Sequence, residues 1–213
     1  MNKRQSTERI TDLPEFELVL HDAEFKIWIM DLCKNGHMSQ ICARILDKEE
    51  QKKAIHNSKF LLQRGMVKLL LGDYLGKNPE EVRVKKDHMG KPFIESECCE
   101  INYSHSGQFF MLGASKINKL GVDIQIPKKL KYDYPTMIFS KKELKAYESL
   151  SDPNAKKDYF CRMWTQKEAF SKALGLGMTI NFNELSEYEE LNKAITKTGL
   201  TDEFYFSYVV LTK

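Results

Sequence analysis

The sequence has little to staple it, no stretch suited to crossing a membrane, and little net charge. Its five cysteines (Cys33, Cys42, Cys98, Cys99 and Cys161) are odd in number, include one adjacent pair and form no CxxC spacing. That argues against a disulfide framework or a cysteine zinc site. No run approaches the ~20 apolar residues that a membrane-spanning helix needs. The opening residues, MNKRQSTERITDL, lack the apolar core of a signal peptide. The expectation is a reducing cytoplasm and no membrane partner. A net charge of +3 is too mild to point to nucleic acid by itself. No repeat or low-complexity segment is visible.

What is present suits a globular protein. Of 213 residues, 42% are hydrophobic and 30% charged, enough for the core of one or two small domains. The charge is uneven, with Lys48, Lys52, Lys53, Lys59, Arg64 and Lys68 among the cations crowded between residues 48 and 91. Such crowding suits a phosphate-rich ligand or an acidic partner, and equally ordinary solubility.

Taken in order, residues 1–24 read as an extension that packs at an edge and carries no chemistry. Phe25–Leu32 is β-rich and alternating, a strand. Residues 40–56 read as one helix. Residues 58–75 read as a longer one, with Ser58 as N-cap and an apolar row of Leu62, Met66, Leu70 and Tyr74. Lys59, Arg64 and Lys68 lie off that row. Val82–Lys85 reads as a short strand, and Asp87–Lys91 as a loop with Pro92 fixing its exit. Ile101–Ser106 is strand into turn. Phe109–Ala114 and Leu120–Ile126 read as a hairpin around KINK, with Gly121 tolerated near the turn. Pro127–Pro135 is a basic connector. Ser140 and Glu143 form a capping box for a short helix. Asp152-Pro153 opens a long helix closed by Gly175 and Gly177. Phe204–Leu211 is a strand. The order of elements gives an α+β fold, with two halves meeting near residues 115–120.

Three constellations carry chemistry. Asn102-Tyr103-Ser104-His105-Ser106 is a donor-rich turn that can hold an anion, although a single histidine or serine pair there is commonly structural. In Gly121-Val122-Asp123-Ile124-Gln125 the strand period places Asp123 and Gln125 on one face and Val122 and Ile124 on the other. A carboxylate beside an amide carbonyl is a partial oxygen site for a hard cation; in isolation it is equally a solvent-facing sheet edge. On the long helix, Trp164, Lys167, Glu168 and Lys172 fall within a face of about 140°. That face reads either as a salt-bridged surface or as half of a site in which Glu168 supplies the missing oxygen and the lysines meet phosphate.

Together these parts resemble the 4′-phosphopantetheinyl transferases. G-V-D-I stands some forty residues before W-x-x-K-E-A-x-x-K-x-x-G-x-G. The upstream Gly90-Lys91-Pro92 and Asn102–Ser106 segments are similar to those of the larger, surfactin-type branch. The resemblance runs from about Phe25 to Gly177. It implies two similar α/β halves in one chain, related by pseudo-twofold symmetry: an extension at 1–24, a coenzyme A side at 25–118, and a half at 119–213 with the metal ligands and catalytic helix. It implies a monomer that moves the phosphopantetheine arm of coenzyme A to a serine of an apo acyl or peptidyl carrier protein, releasing 3′,5′-ADP. Mg²⁺, or Mn²⁺ in its place, would be held by Asp123, Gln125 and Glu168. Glu168 would be the base, with Asp123 and Lys172 completing the catalytic set. Lys59, Lys91, Ser104, His105, Lys167 and Lys172 would contact the coenzyme, and one of Lys48, Lys52 and Lys53 its 3′-phosphate. Lys128, Lys129 and Lys131 suit an acidic carrier. The carrier serves fatty acid, polyketide, nonribosomal peptide or siderophore synthesis.

Position 125 departs from the pattern, which has Glu. Gln keeps the carbonyl and loses the charge. The alternative reading is therefore a coenzyme A- or carrier-binding protein of this fold with catalysis weakened or lost; the intact Lys167, Glu168 and Lys172 argue against it. A nucleic-acid binder using the lysine-rich helices is opposed by the modest net charge and sparse aromatics.

Overall fold

The computed structural model describes residues 14–22, 24–127, 135–176 and 181–212. The strands are β1 (Leu18–His21), β2 (Phe25–Asp31), β3 (Val84–Lys86), β4 (Pro92–Ile94), β5 (Glu100–Ser106), β6 (Phe109–Ser115), β7 (Lys119–Gln125), β8 (Ala194–Leu200) and β9 (Tyr205–Leu211). The helices are α1 (Ser39–Ile45), α2 (Lys48–Ala54), α3 (Ser58–Leu75), α4 (Pro135–Ile138), α5 (Lys141–Ser149) and α6 (Pro153–Leu174). One sheet has the order β1-β2-β6-β5-β4-β3, the other β7-β9-β8, and every pairing is antiparallel.

Strand alternation sorts side chains into four layers. Trp28, Met30, Phe110 and Leu112 face one way from the first sheet and pack on Leu62, Met66 and Leu70 of α3. Ile27, Ile29, Phe109 and Met111 face the other way and meet Leu120, Val122, Ile124, Phe206 and Val210 of the second sheet. The far face of that sheet presents Val209 and Leu211 to Ala169, Phe170 and Ala173 of α6. The layers run helix, sheet, sheet, helix. With the shorter elements set aside, each half also repeats an order: a strand, a long helix, then two strands of which the last pairs with the first (β2, α3, β5, β6 with α1, α2, β3 and β4 inserted, and β7, α6, β8, β9 with α4 and α5 inserted). This bears out the expected α+β fold of two similar halves.

Several local readings hold. α3 spans the predicted residues, Ser140 and Glu143 form the capping box, Asp152 caps α6 with Pro153 at its first position, and Gly175 closes it at φ +76°. Others are corrected. Residues 40–56 are two helices, because Leu46 and Asp47 are extended and Asp47 forms a capping box with Glu50 that starts α2 afresh. Asn57, not Ser58, caps α3 by accepting from the Phe60 amide. Lys68 is buried, its ammonium 3.1 Å from Glu50. The strand read at Val82–Lys85 begins at Val84. β6 and β7 are not a hairpin: β6 pairs with β2 and β5, β7 pairs with β9, and the link between them crosses from one sheet to the other. β8 was not read at all. Its sequence, AITKTGL, pairs with only one strand and has no apolar face to advertise it. Gly177, Lys128, Lys129 and Lys131 lie outside the described residues.

Gly121 is also more than tolerated. A Cβ there would lie 1.9 Å from the Ala169 carbonyl oxygen and 2.4 Å from the Ala173 amide nitrogen. The missing side chain lets the backbone of β7 touch the backbone of α6. Gly121→Ala is expected to cost about 3 kcal/mol or more, because neither backbone can give way. A lower urea midpoint at unchanged slope is the expected readout; an unchanged midpoint contradicts the close packing.

Candidate functional site at the junction of the two sheets

The site is built where β5 meets β7. Asn102, Ser104 and Ser106 project from one side of β5 and all are buried. Asn102 Oδ1 accepts from the Val122 amide at 3.0 Å, and Ser106 Oγ accepts from the Ile126 amide at 3.0 Å. Side chains of one strand thus take the place of a backbone ladder along β7. A buried amide left without a partner costs about 1–3 kcal/mol, so these two contacts fix the register of one half on the other. Ser104, midway between them, donates to Asp123 Oδ1 at 2.7 Å.

Asp123 is 5% exposed and faces α6. Lys172 places its ammonium 2.6 Å from Asp123 Oδ1, 3.1 Å from Ser104 Oγ and 3.8 Å from Glu168 Oε2. Asp123 Oδ2 is buried with no hydrogen-bond partner. Burial, then the charge of Asp123, push the Glu168 carboxyl up to about 7, against the pull of Lys172. Two acids and one lysine therefore share a poorly hydrated space. An orphaned buried carboxylate oxygen beside a second acid that resists ionisation is a donor set that fits a hard cation. Among the described residues no three His, Cys, Asp or Glu side chains form a metal cluster. Gln125 lies on the Asp123 side of β7, and its amide donates to the Ile126 carbonyl at 3.0 Å.

The predicted face of α6 divides. Glu168 and Lys172 turn to Asp123. Lys167 is buried instead between Glu143 Oε2 and the Phe182 carbonyl, each 2.7 Å from its ammonium. Burial draws its pKa below the ordinary lysine range, and Glu143 opposes that. Trp164 stacks on Phe182 at 5.6 Å and packs with the Phe139 and Phe160 cluster of α4–α6, not against a sheet. On the other flank, Lys91 is paired with Glu100 at 2.7 Å. It lines a pocket of about 220 Å³ with Lys86, Asn102, Tyr103, Lys172 and Gly175. Lys59 reaches to 3.4 Å from His105 Nδ1, and both are exposed, further along the same edge. The sequence reading missed Asn102 and Ser106 as the stitches of the junction and Glu143 as the partner of Lys167. The alternation of polar residues through Asn102, Ser104 and Ser106 was the available signal for the first two.

A strand acid and a helix acid thus share one helix lysine at the junction of the two sheets. Residues 119–212 match the model of the 4′-phosphopantetheinyl transferase superfamily, which bears out the resemblance seen in the motifs. The chain is similar to the 4′-phosphopantetheinyl transferase HetI of Nostoc, 28% identical over 85% of this chain and 78% of the relative. It is 31% identical to a putative 4′-phosphopantetheinyl transferase of Synechocystis over 68% of this chain, and 27% identical to Sfp of Bacillus subtilis over 68%. The matched regions make up 61% and 62% of those two relatives. The named relatives are enzymes of one class.

The raised Glu168 pKa predicts a pH dependence. For an acid whose pKa rises on folding, the stabilising contribution is complete below the unfolded value, near 4.5, and is lost as pH climbs through about 7. In metal-free protein Glu168→Gln should therefore be more stable than native above neutrality, by up to about 3 kcal/mol, and no more stable near pH 4. Thermal melts at both pH values test this; a constant difference removes the assigned environment of Glu168.

Proposed function

We propose that the protein transfers the 4′-phosphopantetheine moiety of coenzyme A to a serine of an apo carrier protein, releasing 3′,5′-ADP with Mg²⁺ or Mn²⁺ bound. The observation that supports it most is the cluster of Asp123, Glu168 and Lys172, with Asp123 Oδ2 unpartnered at the junction. Bound there, the cation would neutralise and align the pyrophosphate. Asp123 and Glu168 would hold it, with Gln125 offering a carbonyl oxygen.

The chain's own residues supply the rest. Attack by a neutral hydroxyl on a polyanion is opposed by charge, so neutralisation and alignment dominate catalysis. The bond formed joins the serine oxygen to phosphorus; the bond broken leaves its electron pair on 3′,5′-ADP. Lys172 meets the phosphates, and Lys91 lines the pocket beside it. Ser104, His105 and Lys59 serve the coenzyme along the same edge, and one of Lys48, Lys52 and Lys53 takes the 3′-phosphate. Glu168 would take the serine proton, either directly or, because a bound cation lowers the basicity of a carboxylate that holds it, through water. Lys167, paired with Glu143 and the Phe182 carbonyl, anchors α6; a direct coenzyme contact would require it to leave that pair. In this reading the protein works in the cytoplasm, and as a monomer in which one chain supplies both halves.

Incubation with coenzyme A, Mg²⁺ and a panel of apo carriers, read by intact mass, is expected to show addition of one phosphopantetheine to at least one carrier. Asp123→Ala and Glu168→Gln are each expected to abolish it. Transfer retained in either variant removes the metal-site assignment, and binding of coenzyme A without transfer to any carrier favours a catalytically silent binding protein. Gln125→Glu is expected to lower the Mg²⁺ concentration needed for half-maximal rate; an unchanged requirement contradicts the role given to Gln125.

A further inference from the structure

We infer that Lys172 is a built-in counter-ion of the carboxylate pair, one that opposes cation binding until an anion draws its ammonium away. The inference rests on the metal-site reading above and adds an order of events to it. Asp123 Oδ1 already carries two partners, the Ser104 hydroxyl at 2.7 Å and the Lys172 ammonium at 2.6 Å. Only Oδ2 is without one. The same ammonium stands 3.8 Å from Glu168. An arriving dication must therefore share both of its acids with a positive charge already in place. In a buried space that repulsion is poorly screened.

Gln125 makes the competition sharper. An acid at that position would leave charge for a lysine and a dication together. With an amide there, two carboxylates face one lysine.

The ammonium has somewhere to go. The Lys172 side chain is 25% exposed, and the residue lines the pocket of about 220 Å³ that Lys86 and Lys91 also line. Lys91 is held by Glu100 as Lys172 is held by Asp123. A polyphosphate in that pocket offers Lys172 a second partner, and a flexible, strongly hydrated ammonium on a four-carbon stem changes partner easily. Leaving Asp123, it frees Oδ1 and removes the repelling charge. Cation and anion then raise each other's affinity, as linkage requires.

The test is Mn²⁺ binding in the absence of any nucleotide or phosphate, followed by electron paramagnetic resonance. Lys172→Met and Lys172→Gln are each expected to bind Mn²⁺ about tenfold more tightly than the native protein, the ordinary size of such a coupling. Asp123→Asn is expected to lose that binding. A native-protein measurement guards against a variant that fails to fold: saturating Mn²⁺ should increase acetylation of Lys172 by acetic anhydride, read by peptide mass. Equal Mn²⁺ affinity in native and both lysine variants, or unchanged acetylation, overturns the counter-ion role while leaving the transferase reading intact. Mn²⁺ binding that survives Asp123→Asn overturns both.

Discussion

Two sheets meet in this molecule without a continuous ladder between them, and the polar row on β5 makes that possible. β7 is the edge of its sheet, bonded to β9 on one side. Its amides at Val122 and Ile126 are met by Asn102 and Ser106 instead of by another backbone. The first contact is buried and the second partly so, and each answers a donor that would otherwise be costly. Apolar packing across the two sheets, Ile29 and Phe109 toward Val122 and Ile124, supplies much of the attraction but no register. The polar row supplies the register. Because Ser104 occupies the central place in that row, the device that aligns the halves also grips Asp123.

The depth of the site follows from a second constraint. With no side chain at Gly121, α6 lies directly on β7. Glu168 and Lys172 are thereby brought over Asp123 with little room for water. A carboxylate denied water and set beside another resists ionisation, which is why Glu168 is displaced toward neutrality. Removing the glycine would separate the helix from the strand and with it the acid pair. The G-V-D-I sequence is thus one structural unit: the glycine sets the distance, Val122 and Ile124 enter the core, and Asp123 points at the helix.

How much of this was legible in the sequence depends on whether a signal was local. The caps of α5 and α6, the span of α3 and the two faces of β7 are local, and the residues announce them directly. The pairing of β6 and β7 is not local. Two apolar strands joined by KINK look like a hairpin by every short-range criterion, yet they belong to different sheets because each has a better partner far away, β2 for one and β9 for the other. Likewise the buried state of Lys68 depends on Glu50, which α2 brings to it. At the site, Asp123, Glu168 and Lys172 were named from motif residues, but neither the ammonium's position on Asp123 nor the unpartnered Oδ2 has any sequence signature.

The face of α6 gives the last step. A helical wheel puts Lys167, Glu168 and Lys172 together, which counts two cations against one acid. The structure divides that count. Lys167 is neutralised by Glu143 and the Phe182 carbonyl on the side of α5, so its charge is spent on holding the helix in place. What reaches the junction is Glu168 and Lys172, against Asp123 from the strand. Had Lys167 also faced Asp123, two ammonium groups would stand against two carboxyl groups. With Lys167 withdrawn, Lys172 is the helix cation that meets Asp123 and Glu168, and a negative excess remains whenever Glu168 is ionised. The pairing of Lys167 with Glu143, on the other side of α6 from Asp123, is therefore what leaves the cluster its sign.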